Sequence, residues 1–483
     1  MWDPIKKKLT NWLSPLKNTE ASLYLVGGAV RDREMGRAVT DMDLVCRDAK
    51  KVAEKIASVT DVALVRFLKN PEAPCYRLVN RLDKDDHIDV SKLRGKDIST
   101  DLAHRDFTIN AMAIPIDPDG HWGETIDPFG GIIDIEKKRI RVTRPTVFNK
   151  DPLRMLRAVR FSAELGFSPA TGTIDLIRLH ADKIDQVAGE RIWAEFKRIL
   201  NNGNSRTFIR RMDEWSLLSG IFPEIAAMKD CPQNAHHHLD VWSHSLVVFG
   251  YCEEMINDPA RYFWQHAELI QNHLATNDRD VLLKLAALLH DVGKPITRGY
   301  DPVADRITFY GHDKTGAGMA EEIARRLRLS KADRIFLVTL VAEHLHILTL
   351  AMPEVKPSTR MRLFRTLKDD TISLIIHGMA DILATRGPDS SSAYRKAYLR
   401  WANATIATFH QSIKPRLSPK NDLIRGKDLI DLGMPPGPGI GTVLSRIRNA
   451  QDNDEIQNRT DALLMAKALM TATDGKTKTR KSE

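Results

Sequence analysis

Two aspartates separated by one residue could hold a hard metal ion. Asp41 and Asp43 stand in "TDMDLV", and alternate residues of a strand face the same side, so both carboxylates can point at one place. Mg²⁺ prefers oxygen ligands and commonly bridges to substrate phosphates. Asp89, in "DHIDVS" on a later predicted strand, is a candidate third catalytic carboxylate, and a plain solvent-facing acid is the alternative.

A glycine pair precedes these acids. In "LYLVGGAV", Gly27 and Gly28 would let the backbone approach a triphosphate, and the N–H groups of the turn could hold anionic oxygens. Arg31 adds a positive charge nearby. Either pair alone is typical of ordinary turns and surface acids, but together in one strand–turn–helix–strand unit they predict metal-assisted nucleotidyl transfer.

The elements around these residues change in type along the chain. From about Ala21 to Thr143, apolar alternation predicts strands separated by helical or polar segments. After Asp151 the strand patterns stop, and amphipathic patterns such as "DVLLKLAALLH" predict helices. We therefore expect a small α/β catalytic head on a long helical body.

Composition limits the partners and the compartment. The 483 residues carry a formal net charge of +9, which suits a partner rich in phosphates. No apolar stretch is long enough to span a bilayer, so we expect no membrane partner. The four cysteines lack metal or disulfide spacing, which fits a reducing cytoplasm. We expect a monomer or a weak oligomer.

Five motifs in order resemble those of class II tRNA nucleotidyltransferases and bacterial poly(A) polymerases. They are "LVGGAVRD…DMD", "HRDFTINAMA", "IDPFGG", "DPLRMLRAVRFSAELGF" and "ERIWAEFKRIL". The resemblance implies an α+β protein with a polymerase-β-like head followed by an all-helical neck, body and tail. The expected domains are a nucleotidyltransferase head at 1–147, a base-recognising neck at 148–230, an HD-type domain at 231–395 and a tRNA-binding tail at 396–483.

The resemblance also assigns roles to residues of this chain. It implies that Asp41 and Asp43 hold Mg²⁺. Nucleotide binding is expected from the glycine turn, the "RDFTIN" segment and the arginine series of the neck: Gly27, Gly28, Arg31, Asp32, Arg105, Asp106, Asn110, Asp151, Arg154, Arg157 and Arg160. His104 departs from the family pattern, in which many relatives have a second arginine.

Within this set, the resemblance implies that Arg105, Asp151 and Arg154 read the base. Asp151 and Arg154, three residues apart on a helix, would be neighbours that offer acceptors and a planar fork of donors to the edge of cytosine, and by rearranging they could accept adenine. The alternative is a surface ion pair, worth about 0.5 kcal/mol or less.

The second half resembles an HD domain, a helical metal-dependent phosphohydrolase fold. The matching ligand positions are His244, His290, Asp291 and Asp381, with His312 and His344 as candidates for extra ligands. Imidazole and carboxylate suit several divalent metals without selecting one. Metal binding and a retained fold without metal are both left open.

Two classes of function follow. The favoured one is a template-independent transferase acting on the 3′ end of tRNA; the other is an HD phosphohydrolase with an RNA-binding N-terminal half. The transferase is favoured because both acids, Asp41 and Asp43, are present.

Within the transferase class, CC, CCA, A and poly(A) addition are all open. Relatives that complete CCA resemble one another in a long flexible segment before "HRDF", where this chain has only "GKDISTDLA". We therefore expect CC addition from CTP ahead of CCA addition, which also uses ATP, and ahead of poly(A) synthesis.

Overall fold

The computed structural model describes residues 3–17, 19, 21–39, 41–68, 74–119, 121–234, 238–263, 265–386, 391–418 and 421–479. The chain divides into two compact units, residues 1–202 with 207–221, and residues 203–206 with 222–483. This division is coarser than the four expected domains, whose boundaries stay predictions. Residues 419–420 and 480–483 of the expected tail lie outside the described residues.

The first unit contains a six-stranded sheet in the order β3-β4-β5-β2-β1-β6. β1 runs antiparallel to β2 and β6, whereas β2 pairs with β5 in parallel. Its inner strands are short and largely buried, as their apolar residues require. The strands are β1 Leu23–Val26, β2 Asp43–Cys46, β3 Val62–Phe67, β4 Cys75–Asn80, β5 His87–Lys92 and β6 Ala113–Ile116.

Helices cover this sheet and continue into the neck. Buried residues of α1, α2 and α3 form one core with the sheet, in which Leu9, Val30 and Ile56 are fully enclosed. The helices up to residue 221 are α1 Asp3–Leu13, α2 Gly28–Glu34, α3 Ala49–Val59, α4 Ile98–Leu102, α5 Gly131–Glu136, α6 Val147–Lys150, α7 Leu153–Leu165, α8 Thr171–His180, α9 Gly189–Leu200, α10 Ser205–Glu214 and α11 Leu217–Ile221.

The second unit is a helical body. Its central helices α13, α16, α19 and α21 pack on one another. The helices are α12 Ile225–Met228, α13 Val241–Asn257, α14 Pro259–Phe263, α15 Ala267–Leu274, α16 Arg279–Leu289, α17 Lys294–Thr297, α18 His312–Arg326, α19 Lys331–Thr349, α20 Pro357–Leu367, α21 Thr371–Ala384, α22 Ser392–Thr408, α23 Lys414–Arg416, α24 Gly426–Asp431, α25 Pro438–Asp452 and α26 Arg459–Thr479. Among the residues described, no helix has the length and apolar character needed to cross a membrane.

The predicted α+β class is confirmed, with one correction to the helical part. Three short strands do occur after Asp151. β8 Ser168–Pro169 pairs with β7 Arg139–Ile140, which precedes Asp151, and β9 Gly299–Asp301 pairs with β10 Arg306–Thr308. Strands of two or three residues are too short to show an alternating pattern, so hydrophobic periodicity does not predict them.

A buried carboxylate fixes the segment that follows α4. Asp134 on α5 is fully enclosed and accepts hydrogen bonds from Thr108 Oγ1 at 2.7 Å, Arg139 Nε at 2.7 Å and Arg141 Nε at 2.8 Å. Thr108 begins the 3₁₀ turn that ends at Asn110, one of the predicted nucleotide-binding residues. Asp134 therefore stabilises the turn that carries Asn110.

Replacing this carboxylate should loosen the turn. Asp134→Ala leaves two guanidinium groups and a hydroxyl without their acceptor, which should cost about 3 kcal/mol. Hydrogen exchange of peptides covering residues 104–141 should accelerate by roughly a hundredfold. The control Asp175→Ala removes an exposed carboxylate 3.9 Å from Arg178 and should change exchange little. Equal protection in Asp134→Ala and wild type would show that this anchor is dispensable.

Candidate functional site

Asp41 and Asp43 line one cleft at the end of the inner strands. Asp43 is the first residue of β2 and pairs in register with Val26, the last residue of β1 before the glycine turn. Asp41 is exposed and Asp43 is partly buried. Both contribute to the wall of a cleft of about 860 Å³. The structure thus brings the two predicted metal ligands together.

The environment of Asp43 fits a bound cation. Burial raises the pKa of its carboxyl group; Arg105 opposes this rise, while the charges of Asp89 and Asp41 add to it. A carboxylate in such surroundings is short of positive charge, which a divalent ion would supply. Two carboxylates at an open cleft are also the oxygen donors that Mg²⁺ accepts.

Asp89 lies beside Asp43 but is already engaged. The two residues are register partners on the parallel strands β2 and β5. Arg77 on β4 binds both carboxylate oxygens of Asp89, with Nε at 2.8 Å and Nη2 at 2.7 Å. The residues that line the cleft include Ser91 of the same strand but not Asp89. Its expected catalytic role stays a prediction.

The glycine turn has the backbone that its sequence requires. Gly27 has a φ of 74°, a region that favours glycine, and a Cβ there would lie 2.9 Å from Arg105 Nη1. Gly28 begins α2, and both glycines line the cleft. A side chain at position 27 would therefore strain the turn and displace a cleft arginine.

Arg31 is held in a fixed orientation. Its Nε and Nη2 donate to the two oxygens of Asp32, each at 2.9 Å, and its Nη1 donates to Asn110 Oδ1 at 2.8 Å. All three residues line the cleft. Asp32 and Asn110 thus position this arginine, and their expected contacts with a nucleotide stay predictions.

Asp106 joins the head to the neck. This buried carboxylate accepts from Arg157 Nε at 2.7 Å through Oδ2, and from Asn110 Nδ2 at 3.2 Å through Oδ1. Burial raises the pKa of Asp106, but the charge and hydrogen bond of Arg157 outweigh it, so the pKa lies below the usual value. Asp106 is therefore ionised at neutral pH, with both oxygens used inside the protein.

A chain of ion pairs continues from Arg157 along the neck. Glu195 on α9 lies 3.7 Å from Arg157 Nη1 and accepts from Arg160 Nε at 2.5 Å. Glu164 accepts from Arg160 Nη1 and from Arg198 Nε, each at 2.8 Å. Alternating charges of this kind fix the three arginines at the cleft without excess repulsion.

The expectation that Asp151 and Arg154 stand on one helix is wrong. Asp151 precedes the helix, which begins at Leu153, and the two residues are neighbours in a turn in which Arg154 N donates to Asp151 O at 3.1 Å. Arg191 Nη2 donates to Asp151 Oδ2 at 2.9 Å, and Arg154 Nη2 donates to the backbone oxygen of His104 at 3.0 Å. Both side chains still line the cleft. The residue that breaks the arginine pattern, His104, therefore supplies a backbone acceptor to Arg154.

Several cleft residues were not predicted. Glu164, Arg191 and Arg198 line the cleft, and so do Arg37, Lys92 and Arg94. The motif "ERIWAEFKRIL" was the available signal for Arg191 and Arg198, which stand on its polar face. Their partners are distant in sequence: Glu164 lies 34 residues before Arg198, and Asp151 lies 40 residues before Arg191.

The predicted HD residues form a second cluster, in the helical body. Two groups of side chains have ligand atoms within 4.8 Å of one another: His244, His290 and Asp381, and Asp291, His312 and His344. All six side chains are buried. The helices α13, α18, α19 and α21 and the end of α16 supply them. The structure thus assembles both the four matched positions and the two extra candidates.

Asp291 lies between the two groups. Its Oδ2 is 3.1 Å from His290 Nε2 and 3.9 Å from His244 Nε2. Its Oδ1 is 3.4 Å from His312 Nε2 and 3.7 Å from His344 Nε2. Lys294 Nζ is closer still, at 2.7 Å from Oδ2. Asp291 thus turns one oxygen to each group, and Oδ2 is also paired with an ammonium group.

The protonation of this cluster fits metal ligands only in part. Burial lowers the pKa of His244 and His344, which keeps these imidazoles neutral, whereas the charge of Asp291 outweighs burial at His290 and raises its pKa. Burial raises the pKa of Asp291, but His290 and Lys294 hold it well below its usual range. Neutral imidazoles and ionised carboxylates are the forms that bind a metal ion. The donors suit a divalent transition metal without selecting one.

Three family models match consecutive parts of the chain. The poly A polymerase head domain matches residues 23–141, the probable RNA and SrmB-binding site of polymerase A matches 166–229, and the HD domain matches 241–385. The cleft acids lie in the first of these ranges, and the buried histidine cluster lies in the third.

Curated relatives match over most of their length. An A-adding tRNA nucleotidyltransferase of Deinococcus radiodurans is 30% identical over 92% of this chain and 94% of its own. A CC-adding tRNA nucleotidyltransferase of Thermus thermophilus is 30% identical over 92% and 93%. A multifunctional CCA protein of Xanthomonas campestris is 32% identical over 70% and 78%.

Solved structures share the fold. A CCA-adding enzyme in complex with CTP has a TM-score of 0.63 at 22% identity, covering 97% of this chain and 96% of its own. The Thermotoga maritima CCA-adding enzyme complexed with tRNA has a TM-score of 0.62, also at 22% identity, and covers 97% and 96%. With the head, the neck and the HD body all matched in order, the chain belongs to the tRNA nucleotidyltransferase and poly(A) polymerase family and is an enzyme of that family.

Proposed function

We propose that this enzyme adds two CMP residues from CTP to the 3′ end of tRNA, with Mg²⁺ held by Asp41 and Asp43. The observation that carries nucleotidyl transfer is the cleft itself. It places two carboxylates at the glycine turn and the arginines Arg154, Arg157 and Arg160 along the neck side.

The charged groups of the cleft would have separate roles in the reaction. Bound Mg²⁺ would activate the attacking hydroxyl and stabilise the leaving pyrophosphate. Arg31, oriented by Asp32 and Asn110, lies beside the glycine turn, where it would bind the phosphates of the nucleotide. Asp151 and Arg154 keep an acceptor and a donor group that can exchange their present partners for the edge of a base. The protein thus supplies the recognition that a template strand would otherwise supply.

The preference for CC addition rests on a short connection. Residues 93–97 join β5 to α4, and the ends of this connection are tied down. Arg94 N donates to Asp101 Oδ1 at 3.0 Å, and Asp97 caps α4 by accepting from Thr100 N at 2.8 Å. In relatives that complete CCA, a longer flexible segment at this place is expected to re-aim the base-reading residues. A connection that is hydrogen-bonded at both ends lacks a flexible segment that could re-aim these residues.

Similarity to the named relatives does not decide which product this enzyme makes. The A-adding and CC-adding relatives have the same identity to this chain, 30%. Full CCA addition from CTP and ATP is the second candidate, followed by poly(A) synthesis. tRNA as the substrate is supported by the net charge of +9 and by the neck and tail helices expected to bind it, and it implies work in the cytoplasm.

We also propose that the HD cluster holds a divalent metal ion. Hydrolysis of a phosphate ester there is the less favoured role. Asp291, with one oxygen turned to each group of ligands, is the residue that supports a metal-holding role.

Removing either cleft carboxylate should stop transfer. We expect Asp41→Asn and Asp43→Asn each to slow CMP incorporation into tRNA at least a thousandfold, roughly 4 kcal/mol of lost transition-state stabilisation. Because burial already disfavours the charge of Asp43, Asp43→Asn should leave the unfolding temperature without Mg²⁺ unchanged or higher. Asp48→Asn, at an exposed acid just after β2, is the control and should keep full activity. A folded Asp43→Asn enzyme that still extends tRNA at the wild-type rate would remove this residue from catalysis.

Arg154→Ala should weaken the choice of base. Loss of its guanidinium group removes donors to cytosine, so the Michaelis constant for CTP should rise and the preference for CTP over UTP should fall by about tenfold or more. Steady-state kinetics with both nucleotides measure this. Arg178→Ala, on the exposed face of α8, is the matched control. If CTP and UTP kinetics are unchanged, Arg154 serves only to bind the His104 carbonyl.

The product should end at two cytidines. With tRNA lacking CCA and with CTP and ATP both present, single-nucleotide gel resolution should show addition of two residues and no more. tRNA that already ends in CC, offered ATP alone, should stay unextended. Efficient terminal adenosine addition in the first reaction would establish CCA addition, and extension only in the second would establish A addition.

A further inference from the structure

One aromatic ring at the cleft contacts three arginines. Phe161 stands on α7, lines the cleft and is 4% exposed. The guanidinium carbon of Arg160, Cζ, lies 4.2 Å from the centroid of the ring. The same atoms of Arg31 and Arg157 lie 5.3 Å and 5.4 Å from it. All three guanidinium groups are therefore within the range at which an aromatic ring attracts a cation.

These arginines come from two parts of the first unit. Arg31 stands on α2, directly after the glycine turn, whereas Arg157 and Arg160 stand on α7 in the neck. Arg157 is four residues before Phe161, so the two side chains share one face of α7. The ring thus contacts the arginine proposed to bind phosphates and two arginines of the neck side.

The ring constrains these arginines in a way that their acidic partners do not. Asp32 accepts from Arg31, Asp106 from Arg157 and Glu195 from Arg160. Such hydrogen bonds use N–H groups that lie in the plane of the guanidinium group. An aromatic ring attracts a cation through the negative charge of its π face instead. That attraction also offsets part of the repulsion between three positive charges brought to one place.

Phe161 is itself held in a fixed orientation. Its ring meets that of Phe107 edge to face, with centroids 5.8 Å apart and an angle of 85° between the ring planes. Phe107 is fully buried and directly follows Asp106 in the chain. Aromatic pairs favour this perpendicular arrangement. The ring that contacts the arginines therefore belongs to the packed core behind the cleft.

We propose that Phe161 is a positioning residue for nucleotide binding, whose π face sets Arg31, Arg157 and Arg160 in place relative to one another. An aliphatic side chain would fill the space without attracting the guanidinium groups. This inference rests on the proposed function, because it takes these arginines to be groups that bind the nucleotide. It adds a residue that acts on the nucleotide only through them.

The experiment weakens the π face of Phe161 without changing the shape of the ring. In the full-length enzyme, Phe161 is replaced by phenylalanine analogues that carry one, two or three fluorine atoms, each of which draws charge from the face. The Michaelis constant for CTP and the inhibition constant for pyrophosphate, which has no base, should both rise with each fluorine and reach about tenfold. The turnover number should change less than about twofold, because the arginines bind the ground state and the transition state alike.

Two comparisons separate this role from simple packing. Phe161→Leu, which lacks a π face, should raise both constants at least as far as the three-fluorine analogue does. The same fluorinated series at Phe148, a fully buried residue of α6, should leave both constants unchanged. Unfolding temperatures are measured for every protein, so that a loss of folded enzyme is recognised.

Constants that stay flat along the Phe161 series in folded enzyme would show that the ring only packs, and would overturn the proposal. A rise for CTP without a rise for pyrophosphate would also overturn it, because Arg31 would then be positioned without the ring. A wild-type enzyme that uses ATP and not CTP would refute CC addition alone. The same series measured with ATP would then decide the role of Phe161.

Discussion

The buried carboxylate of Asp106 is the interaction on which the catalytic cleft depends. It holds Asn110 with one oxygen and Arg157 with the other, and Asn110 in turn holds Arg31. The Asp106 carboxylate thus orients Arg31, beside the glycine turn, through Asn110, and it orients Arg157 on α7 directly. A buried pair of this kind adds little net stability, because desolvation offsets its attraction, but removal of one partner is costly. Its contribution is therefore a fixed geometry for arginines that line the same cleft.

Some of this cleft was predictable because it depends on local structure. Asp41 and Asp43 line one cleft as predicted, although β2 begins only at Asp43, so strand alternation does not place Asp41. A positive φ at Gly27 follows from a tight turn before α2. The partner of Asp151 was not predictable. Arg191 lies 40 residues away, and only the packing of α9 against α7 brings it near. Proximity in sequence suggested Arg154 instead, because the beginning of α7 at Leu153 was not recognised.

The HD cluster shows the same limit for a different reason. Its four matched residues and two extra histidines could be recognised because motifs carry them. A further buried histidine, His377, lies on α21 four residues before Asp381 and was not predicted. It stands in an apolar run whose other residues pack into the core, so its sequence resembles that of a satisfied buried histidine. Only the absence of partners for its ring nitrogens among the described residues distinguishes it. Hydrogen-bond satisfaction is a property of the folded interior, and a sequence pattern does not record it.

Asp151 and Arg154 are proposed to read the base, and the hydrogen bonds that hold them bear on how many different bases the cleft can select. Asp151 is bound by Arg191, and Arg154 by the carbonyl of His104, the residue that precedes Arg105 and Asp106. To accept adenine after cytosine, donors and acceptors must be presented in another arrangement, and each hydrogen bond to a charged group that is broken costs about 1.5–3 kcal/mol. An element that moves could supply this energy through new contacts in its second position. The connection at residues 93–97 is hydrogen-bonded at both ends, which supports the proposal that the cleft keeps one arrangement and adds cytidine alone.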